Sequence, residues 1–178
     1  MEDKTIKKLV AQAIKHLLYQ DRWLLLHDLS EPSISHKLAE HLQLLFKEYN
    51  VDCEYNSNIA RDDGIKRISI LKDELRRAGL LKEKEEEELE KEFTERAILP
   101  DIIIHRRGSN ADNLCIIEVK KETSKVSSDY DYLKLRAYTS VDMKNDLRYQ
   151  MGIFIHFYIG EGFKYPLIMT FKMGEQEP

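Results

Sequence analysis

The sequence has few cysteines, no excess of positive charge and no long apolar run. Its two cysteines, Cys53 and Cys115, fall in strand-like segments without metal-type spacing, so we expect reduced core residues in a cytoplasmic protein. The net charge is −4, which excludes a global basic field and leaves only local patches to meet nucleic acid. Residues 1–20 are charged and periodic, which predicts neither a signal peptide nor a membrane span.

Hydrophobic and charged residues are balanced as in a globular protein with a heavily charged surface. They make up 42% and 34% of the 178 residues, a composition typical of folded domains. This length suits a single domain, 1–178, that buries a full core. The sequence contains no internal repeat.

Two amphipathic helices are predicted near the start of the chain. Apolar residues recur at helical spacing over residues 3–20. A second helix is predicted to begin after Ser30, a good N-cap, with Glu31 and Pro32 in its first turn. Counting back along the apolar stripe of this helix places Glu31 on its core-facing side, at the N-terminal end.

Apolar runs further along the chain predict a sheet. The predicted strands are 51–57, 101–106, 114–120, 149–160 and 166–173, with a helix over 129–147 before the last two. Residues 57–70 are rich in turn formers, and 71–96 are strongly charged with sparse apolar positions such as Leu89. We expect 57–96 to be a charged helical insertion that projects from the core. The remaining order predicts an α/β domain, a mixed central sheet flanked by helices.

Three charged residues lie where their neighbours are apolar. Asp101 opens one predicted strand, and Glu118 and Lys120 lie near the end of the next, on one face of it. An unpaired buried charge is costly, and two adjacent carboxylates are not comfortably ionised without a cation. A structural ion pair and a metal site both answer this need, and Mg²⁺ suits carboxylate oxygens. Glu31 is a further carboxylate for such a site.

These residues carry a family resemblance. Pro-Asp at 100–101, followed after a predicted strand hairpin by Glu-Val-Lys at 118–120, resembles the signature of the PD-(D/E)XK nuclease superfamily. The order of elements resembles its restriction-endonuclease-like αβββαβ core over about 30–56 and 98–172. Relative to that core, the helix at 3–20 and the charged insertion at 57–96 are additions.

The resemblance implies a role for each residue of the signature. Asp101 and Glu118 would bind Mg²⁺ or, in its place, Mn²⁺, and the carbonyl of Val119 would complete the shell. Lys120 would position or activate the attacking water. Glu31 matches the glutamate that many members carry on the first core helix.

Cations around this signature are candidates for nucleic-acid contacts. The residues expected to meet phosphates are His105, Arg106, Arg107, Lys121 and Lys134. Lys134 also stands where some members carry the glutamine of a Gln-x-x-x-Tyr element, here "KLRAY" with Tyr138. The alternative for the basic residues is a solvated charged surface.

The resemblance implies a Mg²⁺-dependent nuclease, with DNA as the expected substrate and DNA repair or defence as settings. One alternative is a catalytically inactive restriction-endonuclease-like module for binding or assembly. Another is a protein-interaction factor that captures a partner through the charged helix 71–96. Many relatives of this fold act as dimers, so a homodimer is one expected state.

Overall fold

The computed structural model describes residues 1–58, 61–88, 90–142, 144–162 and 164–178, and Leu89 lies outside them. The helices of the described residues are α1 (Asp3–Gln20), α2 (Trp23–Leu26), α3 (Glu31–Leu45), α4 (Lys72–Arg77), α5 (Glu83–Glu86) and α6 (Asp129–Thr139). The strands are β1 (Asn50–Cys53), β2 (Arg67–Leu71), β3 (Phe93–Ala97), β4 (Ile102–His105), β5 (Cys115–Lys121), β6 (Met151–Phe157), β7 (Leu167–Lys172) and β8 (Glu175–Gln176).

Six of the strands form one mixed sheet in the order β1-β4-β5-β6-β7-β8. All neighbours are antiparallel except β5 and β6, which run parallel. The connection between these two parallel strands contains α6, as a parallel pair requires a crossover. The expected α/β class with a mixed sheet flanked by helices is therefore confirmed.

Two hydrophobic cores lie on the two faces of this sheet. Ile117 and Val119 of β5 face α1 and α3, whereas Ile116 faces α6. Because side chains alternate along a strand, Glu118 and Lys120 also face α6. The prediction that these two charged residues share one face is confirmed.

The start of α3 follows the sequence prediction. Ser30 is the N-cap, and its Oγ accepts a hydrogen bond from the Ser33 amide at 3.3 Å. Other boundaries differ: the connector after α1 contains the short helix α2, and α6 ends at Thr139 instead of continuing to 147. After α6 the chain is extended at Ser140, and the Tyr149 amide donates to the Tyr138 carbonyl at 2.9 Å.

The prediction of a single charged helix over 71–96 is wrong. β2 and β3 pair antiparallel as a separate two-stranded sheet, and within the described residues between them the helices are the short α4 and α5. Alternation in β2, which precedes the charged stretch, buries Ile68 and Ile70 against α6, and pairing with β2 makes Phe93–Ala97 at the end of that stretch a strand. The insertion therefore packs on the domain, and the proposal of a projecting interaction helix loses its structural basis.

Amide side chains cover the outer edges of β1 and β2. Gln43 accepts a hydrogen bond from the Val51 amide at 3.0 Å and donates one to the Tyr49 carbonyl at 3.0 Å. Asn145 accepts from the Ser69 amide at 2.9 Å and donates to the Ser69 carbonyl at 3.2 Å. Each amide thus pairs with strand backbone as a neighbouring strand would.

None of the helices in the described residues combines the length and apolar character needed to cross a lipid bilayer.

Gly152 of β6 sets how closely α6 approaches the sheet. A Cβ added at this position would stand 3.1 Å from Leu135 Cδ2, 3.2 Å from Thr139 Cγ2 and 3.3 Å from Phe171 Cβ. These distances are shorter than ordinary contacts between carbon atoms. Because Gly152 has no side chain, α6 can lie close against β5 and β6. This helix carries part of the site described below.

We expect Gly152→Ala to lower the free energy of unfolding by about 1–3 kcal/mol, because α6 must shift to admit the methyl group. Gly162→Ala is the matched control, since a Cβ there meets nothing within 4 Å, and we expect a change within about 0.5 kcal/mol. Urea unfolding of the two variants measures both values. Equal stability of the variants would contradict the close-packing account.

Candidate active site

The site is created where β4 and β5 part. Their pairing runs from Ile104 and Cys115 to Ile102 and Ile117, where β4 begins. β5 continues beside β6 as far as Lys121. Its last residues therefore have no β4 neighbour, and their backbone amides need other partners.

Two carboxylates take the place of the missing strand. Asp101 Oδ2 accepts a hydrogen bond from the Val119 amide at 2.7 Å, and Glu31 Oε1 accepts one from the Lys121 amide at 3.1 Å. The Asp101 carbonyl in turn accepts from the Glu54 amide at 3.3 Å. The N-terminus of α3 and the start of β4 thereby meet at the open edge of β5.

On the α6 side of β5, Glu118 is held by two residues of that helix. Lys134 Nζ donates to Glu118 Oε2 at 2.6 Å, and the Tyr138 hydroxyl donates to Glu118 Oε1 at 3.1 Å. Asp131, one turn before Lys134, lies 2.9 Å from Lys134 Nζ and 3.3 Å from Lys120 Nζ. Two ammonium groups and two carboxylates thus form one chain of ion pairs.

Burial dominates the electrostatics of both acids of the signature. Burial raises the pKa of Glu118 to about 8, although Lys134 opposes the shift, and Asp101 raises it further. Burial also raises the pKa of Asp101, against the hydrogen bond from the Val119 amide. For Lys134, burial alone would lower the pKa, but Glu118 and Asp131 outweigh it and raise the pKa.

The structure brings the signature residues of the sequence together. Asp101 and Glu31 share the open edge of β5, and the negative charge of Glu31 contributes to the raised pKa of Asp101. Glu118 and Lys120 lie one strand position to either side of Val119, whose backbone faces that edge. The local divergence of strands that such a site requires is present.

The basic rim expected from the sequence is not assembled. His105 is buried at the far end of β4, about 13 Å along the strand from Asp101. His105 and Arg107 both bind the carboxylate of Asp52, and Arg106 lies over the Tyr49 ring. These three residues therefore lie far from Lys120 and Lys121 at the end of β5. Because β4 and β5 are antiparallel, the end of β4 lies beside the start of β5.

The other two expected phosphate contacts are engaged within the protein. Lys121 Nζ binds Asp28 Oδ1 at 2.7 Å and the Leu29 carbonyl at 3.2 Å. Lys134 is buried in the ion pairs with Glu118 and Asp131, and it is not a surface cation.

Two further residues of this region were missed in the sequence. Asp131 precedes Lys134 and Tyr138 at helical spacing, so a polar stripe on α6 was the available signal. His156 lies beside Lys120 in the parallel register, and its Nε2 is buried without a hydrogen-bond partner in the described part of the chain. A histidine in the apolar run "GIFIHFYI" was the available signal.

The donor atoms at the open edge fit a hard divalent cation. Among the described residues, Asp101 Oδ1 and Glu31 Oε2 accept no hydrogen bond, and the Val119 carbonyl points to the same edge as its amide. Both oxygens of Glu118 are occupied, so Glu118 fits a metal shell only when Lys134 releases it. The described residues contain no group of three Asp, Glu, His or Cys side chains already assembled as a metal site.

Comparisons of the chain with models of protein families, with curated proteins and with solved structures give no match.

The raised pKa of Glu118 predicts how stability depends on pH. The folded protein holds the Glu118 proton up to pH about 8, while the unfolded chain releases it near the ordinary glutamate pKa of 4.5. The folded state therefore binds more protons between these values, and stability falls as the pH rises through this window. Relative to Glu118→Gln, the wild type should lose about 1–5 kcal/mol of unfolding free energy from pH 4.5 to 8.5.

Urea unfolding of both proteins across this pH range measures the difference, in which the titration of the other groups cancels. A difference that is flat, or that grows in favour of the wild type with pH, would contradict the assignment.

Proposed function

We propose that the protein is a metal-dependent nuclease that hydrolyses phosphodiester bonds of nucleic acid, with DNA as the expected substrate. The observation that supports this most is the arrangement at the open edge of β5, where Asp101, Glu31 and the Val119 backbone meet. Glu118 and Lys120 flank this edge on the same strand. The positions of Asp101, Glu31 and the Val119 backbone support what the PD-(D/E)XK resemblance implies for them, and Glu118 would join them once Lys134 releases it.

The chain's own residues prepare the edge for a cation. The raised pKa values of Asp101 and Glu118 mean that the ionised forms of both side chains are destabilised by burial, so a positive charge placed beside them stabilises these ionised forms. Asp101 is fixed by its hydrogen bond to Val119, so its second oxygen is oriented before any ligand arrives. When bound there, a Mg²⁺ or Mn²⁺ ion would supply charge stabilisation and acidify water.

Lys120 is the group proposed to act on the nucleophile or the phosphate. Its ammonium is held by Asp131 at 3.3 Å, which keeps it on the same face as Glu118. From this position it would orient the attacking water or stabilise charge on the phosphate oxygens. Asp131 is accordingly a positioning residue, since it acts through Lys120 and Lys134.

A second candidate is a binding or assembly module without catalysis, and one observation favours it. Glu118, Lys134, Asp131 and Lys120 already compensate one another's charges without a metal ion. Removing one partner from a buried chain of ion pairs is costly, so this chain has a structural role in the core that requires no metal ion. This module would bind nucleic acid or a protein surface without cutting a phosphodiester bond.

Cleavage assays separate the two candidates. We expect the wild type to cut plasmid, single-stranded DNA or RNA in the presence of Mg²⁺ or Mn²⁺. Asp101→Asn and Glu118→Gln should each reduce the rate by about 100-fold or more, and Lys120→Met by a similar factor. The substrate that is cut identifies the class of nucleic acid.

Asp52→Asn is the matched control, because Asp52 also binds basic side chains in the sheet, but it lies on β1 and its carboxylate binds His105 and Arg107 instead of a residue of the proposed site. It should cut at close to the wild-type rate. Absence of cutting with every substrate, together with no rise in melting temperature on adding either metal, would sink the nuclease proposal and leave the binding module.

A further inference from the structure

Glu118 is the most deeply buried carboxylate of the site. Its side chain is 2% exposed, and within the described residues Lys134 is the one cation that contacts its carboxylate. Tyr138 adds a neutral hydrogen bond to the other oxygen. A divalent cation that uses Glu118 must therefore compete with the Lys134 ammonium, because both need the same carboxylate.

Lys134 has a second carboxylate within reach. Asp131 Oδ1 lies 2.9 Å from Lys134 Nζ, and its other oxygen holds Lys120 at 3.3 Å. Among the described residues, the carboxylates that bind Lys134 are thus those of Glu118 on β5 and of Asp131 on its own helix. The ammonium can leave Glu118 without becoming an unpaired buried charge, which would be costly.

We infer that Lys134 is a displaceable counter-ion: it neutralises Glu118 until a divalent cation binds, and Asp131 then retains it. This inference rests on the proposed metal-dependent function and adds to it a competition between the ion and a side chain. Lys134 and Asp131 are positioning residues in this scheme. The nucleic-acid contact expected of Lys134 from the sequence is replaced by a role inside the site.

Removing the ammonium should therefore strengthen metal binding, although it removes a stabilising contact. Without Lys134, the potential at Glu118 and Asp101 becomes more negative. The more negative potential strengthens the binding of a proton, which competes with the metal ion for these carboxylates. A divalent ion carries twice the charge, so its binding free energy improves by about twice as much. Lys134→Met should thus raise the metal affinity, whereas the loss of an ordinary supporting residue would lower it.

Removing the carboxylate of Asp131 should have the reverse effect. In Asp131→Asn, Lys134 has no second carboxylate to move to and holds Glu118 more firmly. Metal binding should then weaken, even though Asp131 itself supplies no metal ligand in this scheme. If Lys134 and Asp131 merely supported the fold, the two substitutions would change the metal affinity in the same direction. Opposite changes in affinity therefore indicate the counter-ion role.

The experiment is a calorimetric titration of the purified protein with Mn²⁺ and with Mg²⁺ at pH 8.5, which lies above the raised pKa of Glu118, so that its carboxylate is ionised. We expect the dissociation constant of Lys134→Met to be about tenfold lower than that of the wild type, and that of Asp131→Asn about tenfold higher. Lys72→Met is the matched control, because Lys72 is a buried ammonium that binds the Glu88 carbonyl at 2.6 Å, away from the site. It should leave the dissociation constant unchanged.

The outcomes separate this inference from the proposed function. Equal or weaker metal binding in Lys134→Met, with metal-dependent cutting by the wild type intact, overturns the inference alone. Binding by Lys134→Met but not by the wild type supports the counter-ion role and overturns the nuclease proposal for the natural chain. Absence of binding in every protein, Lys134→Met included, overturns both. Should Lys134→Met not fold, stronger binding in Lys134→Gln supports the inference and unchanged binding overturns it.

Discussion

The site depends on the point at which β4 stops pairing with β5. Beyond Ile117, the amides of β5 have no strand to bind on that side, and an unpaired buried amide is costly. Asp101 and Glu31 satisfy two of these amides, so the fold itself brings carboxylates to this edge. The same hydrogen bonds that complete the sheet fix the orientation of the acids. Structural and chemical requirements therefore coincide in these two residues.

The second constraint is the burial of the Glu118 side chain on the face of β5 that α6 covers. A carboxylate in this environment needs positive charge nearby, and α6 provides it through Lys134. Because Gly152 lets α6 lie close to the sheet, the helix delivers Lys134 and Tyr138 directly onto Glu118. Tight packing between helix and sheet thus determines the electrostatics of the site.

Much of the site could be predicted because it depends on local rules. Alternation along β5 places Glu118 and Lys120 on one face, and the apolar stripe of α3 places Glu31 toward the core. The contacts of Lys134 with Glu118 and of Asp131 with Lys120 could not be predicted, because they depend on the rotation of α6 against the sheet. These tertiary contacts are invisible to periodicity in the sequence.

The fold shows the same division. The mixed sheet and the cap of α3 followed from strand patterns and from Ser30, whereas the β2–β3 pair was hidden inside a charged segment. The glutamates and lysines of that segment favour helix, whereas β2 lies just before it, where Ile68 and Ile70 are buried against α6, and β3 at its end becomes a strand by pairing with β2. The separation of His105 from Lys120 is set by strand direction, which residue type alone does not reveal.

The amide side chains of Gln43 and Asn145 have a consequence for behaviour at high concentration. An exposed strand edge is a template on which another chain can add a strand, which leads to aggregation. Gln43 occupies the backbone of β1 at Tyr49 and Val51, and Asn145 occupies that of β2 at Ser69. A single side chain at each edge thus blocks the hydrogen bonds that a foreign strand would need for in-register growth.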